Sequence, residues 1–198
     1  MALLTKSYLR QKVQKKTQAE FGSINESAMR NFSGESLANE KKAASVTRTY
    51  DIFLCHASED AILIKALRDE LVEHGHSVYV DWIEDTQLDR RHVSKETAAT
   101  LRKRMGQCRC LLFATSDAAR KSDWTPWELG YMDAHTCSRV AIVPIVPDEQ
   151  KDVEFKGQEY LGLYPYLDLT GTTLFIHTST SHFVGFNHWI QGSNPGFS

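Results

Sequence analysis

From Tyr50 onward the apolar residues gather into short runs that alternate with amphipathic stretches. Tyr50–Cys55, Ser77–Asp81, Arg109–Thr115 and Val140–Val146 read as buried strands. Between them, Asp60–His74 carries Ile64, Leu67 and Leu71 at helical spacing and meets a stop signal at Gly75. Ser94–Gln107 sets Ala98, Leu101 and Met105 on one face behind Ser94, a residue type suited to an N-cap. Trp124–His135 is a further helix. Gly162–Leu169 adds a short fifth strand, and Pro144 marks a strand end or irregularity in the fourth. Near-continuous apolar strands separated by helices predict an α/β fold, a flavodoxin-like doubly wound parallel five-stranded sheet of order 2-1-3-4-5 with helices on both faces. In such a sheet a ligand sits beyond the carboxyl ends of strands 1 and 3, where the winding reverses.

The flanks follow other patterns. Residues 1–48 are polar and lysine-rich, with isolated apolar positions such as Leu9, Val13, Phe21 and Phe32. Helical pieces are expected at Thr5–Phe21 and Glu35–Ala44, with Ser33-Gly34 breaking the run. Residues 171–198 are rich in Gly, Ser, Thr and aromatic side chains, too aromatic for a solvated tail. That segment is expected to pack on the domain or on a neighbouring copy, with a helix around Ser181–Gln191. The chain thus divides into an N-terminal extension (1–48), a central domain (49–170) and an aromatic C-terminal segment (171–198).

With 198 residues, 41% hydrophobic and 24% charged, the composition is that of a globular protein rather than a disordered one. A net charge of -2 removes the electrostatic case for a nucleic-acid partner. Arg102, Lys103 and Arg104 form a basic cluster of the kind that usually makes a solvated helix face. None of the four cysteines (Cys55, Cys108, Cys110, Cys137) forms a CxxC pair, and free thiols in a reducing cytoplasm are the simpler account. No apolar run approaches the roughly 18 residues that span a bilayer, and the N-terminus has no secretion-signal pattern. A cytoplasmic protein without a membrane partner is expected. No set of His, Cys, Asp and Glu has metal-ligand spacing.

Three places carry candidate chemistry. Trp124 and Glu128 are four apart on a helix, hence on one face beside the predicted crevice. A second reading of the same residues is a capping box, with Thr125 as N-cap, Pro126 at N1 and Glu128 returning a hydrogen bond. The turn His56-Ala57-Ser58-Glu59-Asp60 follows strand 1 where doubly wound proteins hold ribose or phosphate. It lacks a glycine-rich cradle, and Ser58 or Asp60 could simply cap the next helix. Trp82, in the charged loop after strand 2, could stack on a flat ring or anchor that loop.

Tyr50-Asp51-Ile52-Phe53-Leu54-Cys55-His56-Ala57-Ser58-Glu59-Asp60 resembles the opening motif of Toll/interleukin-1 receptor (TIR) domains, above all prokaryotic ones. Ser122-Asp123-Trp124-Thr125-Pro126-Trp127-Glu128-Leu129 is similar to their Trp-x-x-x-Glu helix motif, and Val140–Val146 to the strand that follows. The resemblance covers about residues 49–170. It implies cleavage of the nicotinamide–ribose bond of NAD+, giving ADP-ribose or a cyclised isomer, with NAD+ as substrate and no cofactor. Glu128 matches the family's catalytic residue. His56, Ala57, Ser58, Asp60, Trp82 and Trp124 fall where substrate is bound. The resemblance further implies a homo-oligomer or filament assembled through the Trp82–Arg91 loop, whose Glu84, Asp85, Asp89, Arg90 and Arg91 could serve a head-to-tail contact. It also implies a role like that of the TIR subunit of Thoeris-type antiphage systems, where the nucleotide product activates a separate effector.

Two other classes fit the same chain. A TIR scaffold would need no acid at position 128. A nucleoside deoxyribosyltransferase-like enzyme would break a related N-glycosidic bond with a Glu, but the Trp-x-x-x-Glu and strand pairing argues against it. The enzymatic reading demands that the Glu128 carboxylate reach a bound ribose.

Overall fold

The structure, a computed structural model, describes residues 2–21, 48–57, 60–88, 94–115, 124–151, 154–157 and 159–197. The parallel core is built from β2 (Tyr50–Cys55), β3 (Val78–Tyr79), β4 (Cys108–Thr115), β5 (Val140–Val146) and β6 (Tyr166–Thr170). Their spatial order is β3-β2-β4-β5-β6, the 2-1-3-4-5 winding expected from the sequence. Helices α2 (Ala61–Glu73), α4 (Lys95–Met105) and α5 (Trp124–His135) are its crossovers, and a short α3 (Asp81–Glu84) follows β3.

Local chemistry sets the element ends. Ser94 Oγ accepts the Thr97 amide at 3.0 Å, the N-cap expected for α4. Gly75, at φ 88, ends α2, its amide donating to the Val72 carbonyl at 2.9 Å. The expected strand Ser77–Asp81 shortens to Val78–Tyr79, because Asp81 already opens α3 and its Oδ1 accepts the Trp82 amide at 2.8 Å. The expected fifth strand Gly162–Leu169 divides into a 3-10 turn, Glu159–Leu163, and β6.

Two apolar layers enclose the sheet. On one face Ile52, Leu54, Leu112 and Val143 pack with Leu63, Leu67 and Leu71 of α2. On the other, Phe53, Cys55, Leu111, Phe113 and Ile142 pack with Leu101 and Met105 of α4 and Leu129 and Met132 of α5. This even–odd division along β2 decides which residues face the crevice under α5.

The sheet exceeds the five expected strands, with nine among the described residues. Past β6 it continues antiparallel through β7 (Thr173–Ser179), β8 (His182–Gly185) and β9 (Gly196–Phe197). The helix expected over Ser181–Gln191 is therefore strand first, then the short α6 (Phe186–Ile190), whose Phe186, Trp189 and Ile190 join the core. At the other terminus β1 (Leu4–Thr5) pairs parallel with Ile145 and Val146 of β5, and the Leu169 amide donates to the Ala2 carbonyl at 3.0 Å. The N-terminal strand thus fills the gap between the diverging ends of β5 and β6, which pair directly only at Ile142 and Tyr166. Helix α1 (Lys6–Phe21) lies against α2, where Tyr8 donates to Glu70 at 2.9 Å and Lys12 reaches Glu70 and Glu73 at 2.7 Å. The helix expected at Glu35–Ala44 lies outside the described residues.

Candidate active site

Glu128 stands in the second turn of α5, and both it and Cys55, the last residue of β2, are 0% exposed. The Cys55 thiol donates to Glu128 Oε2 at 3.0 Å. The helix begins at Trp124, which puts Thr125 inside it rather than at the N-cap, so the capping-box arrangement is not the one adopted. Instead the carboxylate turns toward the carboxyl end of β2. Trp124, also buried, lies in the same apolar layer as Cys55 and Ala57 and meets Trp127 edge-on at 5.5 Å between centroids.

His56 points to the other side of the strand, as the alternation of β2 requires. Its Nδ1 lies 2.9 Å from the Leu54 carbonyl and its Nε2 2.9 Å from the Trp82 indole nitrogen. A carbonyl accepts only, and an indole N–H donates only. The ring is therefore neutral, with its proton on Nδ1, an assignment from the hydrogen-bond network. Asp81 Oδ1 lies 3.5 Å from Nε2. Trp82 is half-buried and packs against the α2-side layer, a contact that ties its loop to the body of the domain.

The residues singled out from sequence thus separate into two groups. Glu128, Ala57 and Trp124 fall on the α5 side of β2, where Cys55 joins them. His56, Trp82 and Asp81 form a second cluster across β2. Asp60 occupies the N-cap position of α2 without a side-chain capping bond, its amide donating to the Ala57 carbonyl at 3.2 Å. Ser58 lies outside the described residues.

The loop after β3 is tied down internally. Arg104 grips Asp85 with two bonds of 2.7 Å, and the Tyr79 hydroxyl donates to the same carboxylate at 2.7 Å. Burial alone would raise the Asp85 carboxyl, but these donors outweigh it and hold it below its ordinary value. Glu84 accepts from Tyr50 at 2.9 Å. Two of the charges that sequence reasoning assigned to contacts between copies are engaged inside the chain. Asp89, Arg90 and Arg91 lie outside the described residues.

Two residues at the site lie outside the set the sequence singles out, one touching Glu128 and the other interacting with Cys55. Cys55 registered only as a strand thiol. Its signal was parity: Cys55 shares a face with Phe53, the face that α5 covers. The other is Tyr160, 41% exposed on the 3-10 turn, whose phenol is pushed up by burial and then by Glu159 and Cys55. Its loop crosses itself closely: a Cβ on Gly157 would stand 2.5 Å from the Gly162 amide nitrogen, and Glu159 adopts φ 51. No motif announces such a crossing, because it depends on two glycines meeting backbone to backbone.

Complete burial bears directly on the chemistry. A carboxylate held away from water interacts more strongly with a developing positive charge than an exposed one. A dinucleotide reaches it only if the arrangement opens. Among the described residues, no group of three metal-ligating side chains is present, and no helix is long and apolar enough to cross a membrane.

Residues 52–177 match the family model described as "TIR domain", which takes in β2 through most of β7. Over 197 residues, 96% of this chain and 99% of the relative, the sequence is 41% identical to a protein of Bacillus cereus (strain MSX-D12) named "Probable 3' cyclic ADP-D-ribose synthase ThsB'". It is 33% identical over 85 residues, 42% of this chain and 22% of the relative, to a Cytobacillus dafuensis protein named "Putative cyclic ADP-D-ribose synthase TIR2".

Proposed function

We propose that this chain, which belongs to the TIR domain family, cleaves the nicotinamide–ribose bond of NAD+ and releases nicotinamide with a cyclic ADP-ribose-type product. The observation that carries the reading is the position of the Glu128 carboxylate on α5, turned toward the carboxyl end of β2, where a doubly wound sheet holds its ligand. The near full-length similarity to a protein named for cyclic ADP-ribose synthesis supports it.

The chemistry asks little of the protein beyond charge and shape. Nicotinamide in NAD+ is already cationic, so the bond electrons leave with the ring as a neutral base and no acid is needed to expel it. The sugar left behind is oxocarbenium-like, and Glu128 stabilises that charge as a carboxylate does in glycosidases. Capture by water, which then sheds a proton, gives ADP-ribose. Capture by a nucleophile elsewhere in the same molecule gives a ring. Cyclisation wins when water is kept out, and a site as closed as this one favours it. Entry of the dinucleotide then requires the arrangement around Glu128 to open.

In this reading Trp124 and Ala57 shape the wall beside Glu128. Asp60, at the start of α2, and Ser58 bind ribose or phosphate. His56 and Trp82 orient the opposite rim through their shared hydrogen bond. The loop Trp82–Arg91, braced by the Arg104 clamp, contacts a second copy, and assembly drives opening. The product serves a separate effector in antiviral defence.

The test is incubation of concentrated full-length protein with NAD+, and separately with a deoxynucleoside, followed by chromatography of nicotinamide or free base. Nicotinamide release that falls at least a hundredfold in Glu128→Gln supports the reading, the scale on which one electrostatic contact acts. No turnover at any concentration leaves a scaffold. Base release from the deoxynucleoside alone identifies the other enzyme class.

A further inference from the structure

We infer that Cys55 is a positioning residue for Glu128: its thiol fixes the orientation of the carboxylate and holds it in the charged form. The inference rests on the reading of Glu128 as the catalytic residue and adds a member to that site.

The geometry singles out this thiol. Three cysteines are buried, and each donates to an oxygen. Cys108 and Cys110 meet backbone carbonyls, of Arg104 at 3.2 Å and Asp51 at 3.3 Å, contacts that do no more than satisfy a strand thiol. Burial pushes both of these thiols up, Cys108 to about 12. Cys55 also lies 4.0 Å from a backbone carbonyl, that of Thr125, but its near partner is a side-chain carboxylate 73 positions away, at 3.0 Å, which is short for a sulfur donor. The contact joins a strand to a helix across an apolar layer.

The support on the thiol side is rigid. Cys55 closes β2, held in register with Phe113 of β4, and β2 lies between β3 and β4 in the parallel core. A side chain on such a strand has little freedom, whereas the two-methylene stem of Glu128 would otherwise have several rotamers available. One directed bond therefore limits how the carboxylate plane can turn beneath a bound ribose. Misorientation of a catalytic group is expensive in rate even when binding is unaffected.

The electrostatic effect has a definite sign. A hydrogen bond donated to a carboxylate favours its charged form and opposes the desolvation that burial imposes. Among the described residues, the other titratable side chains on the elements around the site include Asp60 at the start of α2, Glu159 and Tyr160 on the 3-10 turn, Lys95, Glu96, Arg102, Lys103 and Arg104 on α4, and Tyr131, Asp133 and His135 on α5. Of these, Arg102 lies over the Trp127 ring at 5.3 Å and Asp133 accepts from Tyr164 at 3.1 Å. The thiol contacts the carboxylate directly.

The test uses the full chain with NAD+ and compares Cys55→Ala, Cys55→Ser and Cys110→Ala. Cys55→Ala is expected to lower kcat about tenfold with KM within about twofold, and to move the acid limb of kcat up by about one pH unit, the size of one charge-assisted bond. Cys55→Ser keeps a donor and restores most of both. Cys110→Ala makes a comparable vacancy in the neighbouring strand and leaves the pH limb unmoved. If Cys55→Ala melts before assay, Cys55→Val fills the space without a donor and must reproduce its effect. Wild-type kcat and acid limb in a donor-free variant would overturn the inference, as would equal losses in the Cys55 and Cys110 variants. Infrared titration gives a readout that needs no turnover. The Glu128 carboxyl band, assigned by difference against Glu128→Gln, must titrate about one pH unit higher without the thiol. A dead Glu128→Gln with an unchanged Cys55→Ala removes this inference alone, whereas an active Glu128→Gln removes the reading beneath it.

Discussion

Replacing Leu4 with Ala tests whether the first residues of the chain are part of the sheet. Leu4 is 2% exposed, lies beside Ile145 of β5, and shares a core cluster with Leu9, Leu169 and Trp189. At ~0.8 kcal/mol per buried methylene, loss of the three carbons beyond Cβ costs about 2.4 kcal/mol in transfer alone. The cavity adds to this, because β1 cannot slide inward to fill it. The Leu3 amide is bonded to the Lys151 carbonyl at 2.6 Å, and the Ala2 carbonyl to the Leu169 amide. A total of about 3 kcal/mol follows, within the usual span for a buried leucine. In a chain of this size that is a fall in Tm of about 6–12 °C. Urea denaturation followed by circular dichroism should show a lower midpoint at unchanged slope. Leu163→Ala, at a position 81% exposed, should change stability by less than about 0.5 kcal/mol. A Leu4→Ala protein as stable as the Leu163 control would refute the placement of β1 between β5 and β6.

Acid sensitivity should follow three aspartates. Burial would raise Asp51, Asp69 and Asp85, but bonds from Ser77 and Arg109, from Lys16 and Lys65, and from Arg104 and Tyr79 outweigh it and hold all three below 3.8. A carboxyl depressed in the folded state contributes stability above its unfolded value and loses it as pH falls through the folded one. Urea midpoints should therefore hold near neutrality and drop below pH 3.8, and Asp85→Asn should flatten part of that drop. Trp82→Phe keeps a ring but deletes a donor to the buried His56, so it should cost about 1–3 kcal/mol and disturb the histidine tautomer signal in nitrogen NMR. An unchanged melt and spectrum would contradict the anchoring role. Two glycines should respond with opposite signs in thermal melts. Gly157→Ala drives a Cβ into the Leu161–Gly162 backbone and destabilises, whereas Gly130→Ala, with open space around it in α5, stabilises by about 0.5–1 kcal/mol.

Much of the parallel core could be read from local pattern. Val140–Val146 and Trp124–His135 appear with the bounds expected, because a seven-residue apolar run and a twelve-residue helical stretch are each encoded within themselves. Ser94 as a cap and Gly75 as a stop are likewise local chemistry. In β7, Leu174 and Ile176 face one layer while Phe175 and His177 face the other, so the period-two signal is masked by apolar and aromatic residues on both sides. The strand β1 has two residues, and its partner in β5 lies about 140 positions away. No window of sequence contains that pairing.

The candidate site divides along the same line. That residue 128 is an acid on a helix beside a sheet edge is a statement about local order, and the chain alone determines it. That the acid is buried, that the Cys55 thiol faces it, and that the Trp82 indole is tied to His56 are consequences of closure. Helix α5 must settle on one face of β2 to bury Leu129 and Met132, and the parity of that strand then assigns Cys55 to Glu128 and His56 to Trp82. Periodicity specifies which residues share a face. Only packing against the rest of the chain decides what that face meets.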